Sequence, residues 1–534
     1  LEKSIIRINS LQQEKHNIVT YGKEDNTINY YIAYYINHES FKFLLDPMIQ
    51  NGLEKISAMG YGVATNALYS YEGGISKYFS QRFAQVTNPP LDSLRETDGM
   101  TLRVSIGAKP NFTDNKHKQI VLKSPILKKD QLAAIKQQEE IKVISIQCVY
   151  NINLYSDTKN ENSLKKAIKE ISQKIVKKAK ENYGLIILSD TAVSKTKAAI
   201  PIQLIIAACN QSLIENRARF NSSLIIESGQ IISTHDLCTA LGFGASAVMP
   251  IFVYSRITQL YDENEAENRF ELYKKAAHKS LLKIMGKFGI CTIESYIGGE
   301  FFESNFLDTN EGYLKEIFPN INSPVGGAQF RDISNNSKFW HSKSIHFNDQ
   351  ELPKLGLFKE RSDSAGHSFG IVSVREFENL TKENISYSNE KEFQKVSLPW
   401  IKDDGIDHFD FKRELKLRKL SEDEINSFRM TKKYKDFCLN IYNERNERPV
   451  ALRDILSLPI DVNDTNNSES FRKLFSKIDV NGSKYISLKN LSLSRIDNKF
   501  YSIKIRNAIS LKALEAYFNE DFPELCAQIN NDCI

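Results

Sequence analysis

Apolar positions in this chain follow two rhythms, and the two alternate most clearly between about residues 143 and 250. Residues 143–149 (VISIQCV), 185–188 (LIIL), 224–227 (LIIE) and 247–250 (AVMP) are short, nearly continuous apolar runs, the pattern of buried strands. Between the first two, Leu164, Ile168, Ile171, Ile175 and Ala179 recur at helical spacing with lysines on the opposite face. The polar stretch DTKNEN (157–162) reads as the loop before that helix, and Gly184 as its C-terminal stop. Pro201 is placed to open a helix carrying Leu204, Ala207, Ala208 and Ile214. Further helices fit residues 235–241 and 267–288. Strands apolar throughout and alternating with helices predict an α/β fold, with a parallel sheet flanked by helices on both faces and right-handed crossovers.

Outside this stretch the pattern weakens. Residues 41–75 read as helical and then looped, and residues 119–135 as a strand or turn leading into a helix. Turn formers crowd residues 300–400 (PNINSPVGG, SDSAGHSFG), residues 412–456 have helical character, and 461–470 (DVNDTNNSES) is a polar linker. The last 65 or so residues alternate in short segments, with one amphipathic helix near 508–519. The expected division is a connector at 1–40, a central α/β domain at 41–300, a mixed, loop-rich linker region at 301–460 and a small, diverged C-terminal segment at 461–534.

Composition narrows the function classes. The 534 residues predict more than one domain. A net charge of +5, from 71 basic and 66 acidic residues, is no argument for a nucleic-acid partner. The lysine-rich face of residues 165–180 has no interleaved aromatics to stack bases, and reads as a solvated surface. Seven scattered cysteines without C-x-x-C spacing predict no metal site and fit a reducing, cytoplasmic compartment. No apolar run approaches the roughly 20 residues that span a bilayer, so no membrane partner is expected, and no signal peptide is visible. The first residue is Leu1, which predicts that a start or a larger N-terminal part has been removed.

Several motifs admit chemical readings. Asn88 precedes Pro89 and Pro90 and should form a rigid extended corner. Gly242 and Gly244 lie between a helix and a strand; their spacing is not G-x-G-x-x-G, and it suits a tight connection that needs positive φ. Glu227 and Ser228 end a strand at the place where open parallel sheets bind ligands, a candidate ligand-facing strand end. His235 and Asp236 could be an acid–base pair, but a helix start with Thr234 as N-cap is the simpler reading. His341, His346 and His367 have no metal-ligand spacing and are expected at the surface. Residues 479–490 (DVNGSKYISLKN) lack both the turn glycine and the bidentate glutamate of a calcium loop.

Four stretches in fixed order carry a family resemblance: ISAMG with FAQVTNPPLDSLRE (56–60 and 83–96), SLIIESGQIISTHDLCTALGFGASAVMP (223–250), SLLKIMGKFGICTIESYIGGEFFE (280–303), and GLFKERSDSAGHSF with YKDFCLNIYNERNERPVALRDIL (356–369 and 434–456). Over about residues 41–456 the chain resembles the central domain and following linker of the glutamate synthase large subunit. That resemblance implies a segment of an enzyme that makes glutamate from glutamine and 2-oxoglutarate. Its partners would be the amidotransferase and FMN-barrel portions of the enzyme. No cofactor is expected on this chain, since FMN and the 3Fe–4S cluster belong to the barrel portion. By the same resemblance Met59, Thr87 and Asn88 would line the ammonia conduit, and the chain would not catalyse alone. Departures are visible: Leu1 is no catalytic cysteine, Ile297 replaces a family arginine, Asn210 and Gln211 stand in a helix where the family is histidine-rich, and the sequence after Leu456 matches the barrel poorly. The alternatives are a degenerate stand-alone homologue with a structural or interaction role and, more remotely, a flavin-binding oxidoreductase in its own right.

Overall fold

The computed structural model describes residues 5–7, 27–54, 72–82, 96–110, 118–358, 361, 366–367, 371–382, 440–441, 450, 491–497 and 500–505. Contacts divide the chain into two compact units. The described part of the second holds the helix Ile371–Lys382 and an antiparallel hairpin, Leu491–Asp497 with Phe500–Ile505. That hairpin lies within the C-terminal stretch expected to alternate in short segments. The helix expected at 508–519 and residues 479–490 lie outside the described residues.

The first unit is built on four strands: β1 (Val143–Gln147), β2 (Leu185–Ser189), β3 (Ser223–Ser228) and β4 (Ala245–Pro250). All pair in parallel, in the order β4-β3-β2-β1, so every strand lies beside its neighbour in sequence. Strands β2 and β4 are buried at every position and β3 at all but Glu227, so both faces of the sheet are covered. The α/β class and the parallel sheet agree with the sequence pattern. Strand β1 differs from expectation. It is an edge strand in which only Ile146 is buried, and the run breaks at Cys148, after which Val149–Asn151 pairs antiparallel with Lys197–Ala199.

The helices around the sheet are α1 (Thr27–Ala33), α2 (Asp46–Asn51), α3 (Lys129–Gln137), α4 (Asp157–Lys180), α5 (Ile202–Glu215), α6 (Thr234–Gly242), α7 (Ile251–Leu260), α8 (Glu263–Phe288) and α9 (Phe330–His346). Helix α4 buries Leu164, Ile168, Ile171, Ile175 and Ala179 along the predicted stripe. It starts earlier than expected. Ser156 caps it, its Oγ accepting from Lys159 N (3.4 Å), and Asp157 in the first turn with Lys177, Lys178 and Lys180 in the last complement the helix dipole. The polar DTKNEN stretch is therefore helical. The left-handed residue after α4 is Asn182 (φ 62°), not Gly184. Gly184 is required by packing instead: a Cβ there would lie 2.6 Å from Ile141 Cγ2. Helix α5 begins after Pro201 as expected, although Ile214 faces outward, 48% exposed.

Ser233 is the N-cap of α6, not Thr234. Its Oγ accepts from Asp236 N (3.2 Å), while Asp236 Oδ2 accepts from Ser233 N (3.1 Å), a reciprocal capping box. The turn from α6 to β4 divides its two glycines by role. Gly244 has φ +119°, and a Cβ would fall 2.6 Å from Asn210 Cγ; at Gly242 a Cβ would strike the Phe302 ring. Asn210 itself accepts from Arg219 Nε (2.5 Å), and Arg219 Nη2 donates to Gly244 O (3.0 Å), so this turn is locked from two sides. Gly244→Ala is expected to cost about 2 kcal/mol through strained φ and displaced Asn210, measurable as a lowered urea midpoint at unchanged m.

Helix α9 lies within the region read as turn-rich. It packs on α1 and α4 and buries Trp340 completely. The surface expectation fails for two of the three histidines. His341 on α9 is 2% exposed, with Nε2 3.3 Å from Lys195 O, because its helix face is a packing face. His367, in the second unit, is also buried, with Nε2 2.6 Å from Gly356 O. His346 is exposed as expected. Among the described residues no helix is long and apolar enough to cross a membrane.

Candidate functional site

In a parallel sheet all strand carboxyl ends fall on one side, where loops can converge on a ligand. Here the converging groups satisfy one another. Asp190, the residue after β2, is fully buried. Its carboxyl accepts from Ser228 Oγ (2.5 Å), Gln230 Nε2 (3.0 Å) and Gly229 N (3.2 Å). Burial pushes this carboxyl up to about 6, against the pull of those three donors. Gln230 does three jobs at once. Its Nε2 also donates to Ile200 O (2.9 Å), and its Oε1 accepts from Ile202 N (3.0 Å), satisfying the start of α5 where Pro201 offers no capping side chain.

Aromatic side chains close the same end. Tyr34, in the turn just after α1, donates its hydroxyl to Asp190 O (2.6 Å). Phe252 of α7 lies edge-on to Tyr31 and Tyr34, ring centroids 4.8 and 4.9 Å away. A Cβ at Gly229 would be 2.6 Å from Phe252 Cε2, which is why glycine follows Ser228. At the end of β1, Gln147 reaches across to the loop after β2, donating to Thr191 Oγ1 (3.2 Å) and accepting from Ala192 N (3.1 Å).

The two residues singled out at this end therefore have defined places. Ser228 is buried and gives its hydroxyl proton to Asp190. The Glu227 carboxylate is held by Lys136 Nζ of α3 at 2.8 and 2.9 Å, with its side chain 13% exposed. Asp190, Gln230 and Tyr34 were not singled out from sequence. The one available signal was the polar Ser-Asp pair closing the apolar run LIILSD, since a charge at that position needs partners. Met59, Thr87 and Asn88 lie outside the described residues.

Two other arrangements resemble catalytic pairs. His235 Nε2 lies 2.9 Å from Ser76 O, and Asp236 spends its carboxylate on the α6 cap and on Ser76 Oγ (2.7 Å). Ser124 Oγ and His278 Nε2 are 2.7 Å apart, but the hydroxyl also accepts from Ile126 N (3.1 Å) and so braces a turn. Burial takes His278 down to about 4, too weak a base for a serine at neutral pH. Among the described residues no group of three His, Cys, Asp or Glu side chains could hold a metal. Cys148, Cys209 and Cys238 are buried; burial pushes Cys209 up to about 12, far from a reactive thiolate.

The class of protein is a parallel α/β domain whose strand ends are braced and plugged by its own side chains. The family is specific. Residues 29–307 match the family described as the glutamate synthase central domain, and the chain belongs to it. It is 31% identical over 313 residues to the ferredoxin-dependent glutamate synthase of Cyanidium caldarium, covering 55% of this chain and 20% of that protein. It is 26% identical over 375 residues to the large chain of the NADPH glutamate synthase of Bacillus subtilis, covering 68% of this chain and 24% of that one. The chain thus spans about a fifth of the length of these curated relatives. Among solved structures, the flavin-binding domain of baker's yeast flavocytochrome b2 aligns over 52% of this chain and 90% of that one, at 11% identity and a TM-score of 0.27, a likeness too weak to argue from.

Proposed function

We propose that this chain is the central scaffold of a cytoplasmic glutamate synthase, which converts glutamine and 2-oxoglutarate to two glutamates, and that it supplies one wall of the ammonia conduit between the glutaminase and synthase sites. The observation that carries this reading is the match of residues 29–307 to the family's central domain. Its partners are the amidotransferase and FMN-barrel portions of the enzyme. FMN and the 3Fe–4S cluster are assigned to the barrel portion, and none to this chain; the plugged strand ends support that assignment. A buried, fully bonded Asp190 suits a frame that must keep its shape while chemistry proceeds on either side. Met59, Thr87 and Asn88 suit a conduit in kind: uncharged groups that do not protonate ammonia.

The test is Thr87→Trp in an enzyme assembled with both partner portions. Glutaminase activity should persist while ammonia escapes to the medium, lowering glutamate formed per glutamine hydrolysed several-fold. Unchanged coupling removes the conduit role. Failure of the wild-type chain to support glutamine-dependent glutamate formation with its partners removes the enzyme role, and leaves a stand-alone structural homologue.

A further inference from the structure

The outermost strands of an open sheet carry peptide groups that can still recruit a partner, and the two edges of the parallel sheet differ in this respect. The β4 edge is closed by the chain just before α3: Val248 N donates to Pro125 O (2.7 Å) and Leu127 N to Val248 O (2.8 Å). The β1 edge is open. Leu185 N donates to Lys142 O (3.2 Å) and Cys148 N to Ser189 O (2.6 Å). Lys142, Ile144, Ile146 and Cys148 therefore turn their peptide groups toward β2, and Val143, Ser145 and Gln147 turn theirs outward. Those outward N–H and C=O groups have no hydrogen-bond partner among the described residues, and Ser145 and Gln147 are exposed.

This edge lacks the usual protections against pairing. The strand VISIQ holds no charge, proline or glycine, and its register with β2 runs without a bulge. It is also self-complementary. A two-fold axis at Ser145 brings two copies antiparallel, with Ser145 facing its counterpart and Val143 facing Gln147. All three outward residues then form hydrogen-bonded pairs, each pair exchanging two backbone bonds. The same register sets Ile144 opposite Ile146 of the second copy at a non-hydrogen-bonded position, where side chains come closest; Ile144 is only half-buried in the single chain. Like charges do not meet, since Lys142 falls opposite Cys148. The Gln147 side chain keeps its bonds to Thr191 and Ala192, and only its main chain is used.

We propose that β1 pairs with β1 of a second copy of this chain, antiparallel about Ser145, joining two four-stranded sheets into one. The occupant is a second copy because a single symmetric register satisfies every outward residue, pairs the isoleucines and brings no charge against its like. Five residues a side bury much less than a standard interface, so the dimer dissociates on dilution.

Sedimentation velocity of the full chain over a series from micromolar to near-millimolar concentration tests this. The wild type should pass from monomer to dimer across the series. Ser145→Lys and Ser145→Glu each set two like charges face to face at the axis and should weaken self-association at least about tenfold. The Ser145 side chain is exposed and its peptide groups take no part in the β2 ladder, so neither variant should lower the melting temperature. An equimolar mixture of the two variants sets lysine against glutamate and should recover the dimer, with the recovery fading as salt is added. A wild type that stays monomeric throughout, variants that dimerise as the wild type does, or a mixture no more associated than its two components overturns the proposal.

Discussion

Acidification from pH 6.5 to 4 should pull the stability of this protein in two opposite directions, and Asp190→Asn and His278→Gln should separate them. Asp190 titrates at about 6 in the folded chain against 3.8 for its reference value. Its folded-state pKa is raised, so its contribution is fully present below pH 3.8 and is lost as pH rises through 6. The difference is on the order of 3 kcal/mol. His278 titrates at about 4 against a reference value of 6.5. Its folded-state pKa is depressed, so its contribution is present above pH 6.5 and is lost as pH falls through 4, again by on the order of 3 kcal/mol. In the wild type the two slopes oppose each other across the same window. Relative to wild type, Asp190→Asn should therefore become less stable between pH 7 and pH 4, and His278→Gln more stable. Urea unfolding at four pH values measures both differences, from which every other titrating group cancels. A variant whose profile runs parallel to wild type shows that its residue does not titrate as described.

Trp340→Ala should be the most damaging single truncation, at about 3–5 kcal/mol. Trp340 is completely buried on α9, edge-on to Tyr35 at 6.4 Å between centroids. The same face carries a polar seam. Ser337 Oγ accepts from the hydroxyls of Tyr35 and Tyr150, both at 3.0 Å, and Asn160 Nδ2 of α4 donates to Ser334 Oγ at 2.8 Å. Removing the indole leaves a void beside hydroxyls that were paired in a dry interface, so the cavity cost adds to loosened hydrogen bonds. Phe339→Ala, whose ring is 44% exposed, serves as the control and should cost far less. Equal losses at the two positions, read by denaturant midpoints, would mean that α9 is not docked through Trp340.

That seam also explains what sequence reading missed. Helix α4 was legible because every residue on its buried stripe is aliphatic apart from Asn160 and Ser172. On α9 the buried face reads Phe330, Ile333, Ser334, Ser337, Trp340, His341, Ser344. Serines occupy positions where a helical stripe would show leucine, and their burial becomes acceptable only because tyrosines and an asparagine from distant segments supply partners. Local periodicity does not contain that information. The strand ends follow the same logic: the apolar runs marked β2 and β3, but nothing local announces that Gln230 will serve both Asp190 and the start of α5. Near misses have nearer causes. Thr234 and Ser233 are both competent caps, and the choice is made by which hydroxyl sits three residues before Asp236. A glycine after a helix can be needed for its backbone or for its missing side chain, and at Gly184 it is the second.

The strand order β4-β3-β2-β1 bears on how the chain assembles. Each strand of this sheet docks beside the sheet strand synthesised before it, so the closing of each βαβ step joins segments only about one helix apart in sequence. Sheets whose contacts are this local form faster than those that must wait for a distant partner. The sheet can therefore lengthen strand by strand as the polypeptide leaves the ribosome, with Asp190 able to clamp β2 to β3 as soon as Gln230 has emerged. The late arrival is α9: it comes more than a hundred residues after α4, so the growing domain must hold an aliphatic core while the face of α4 that bears Asn160 waits for its serines.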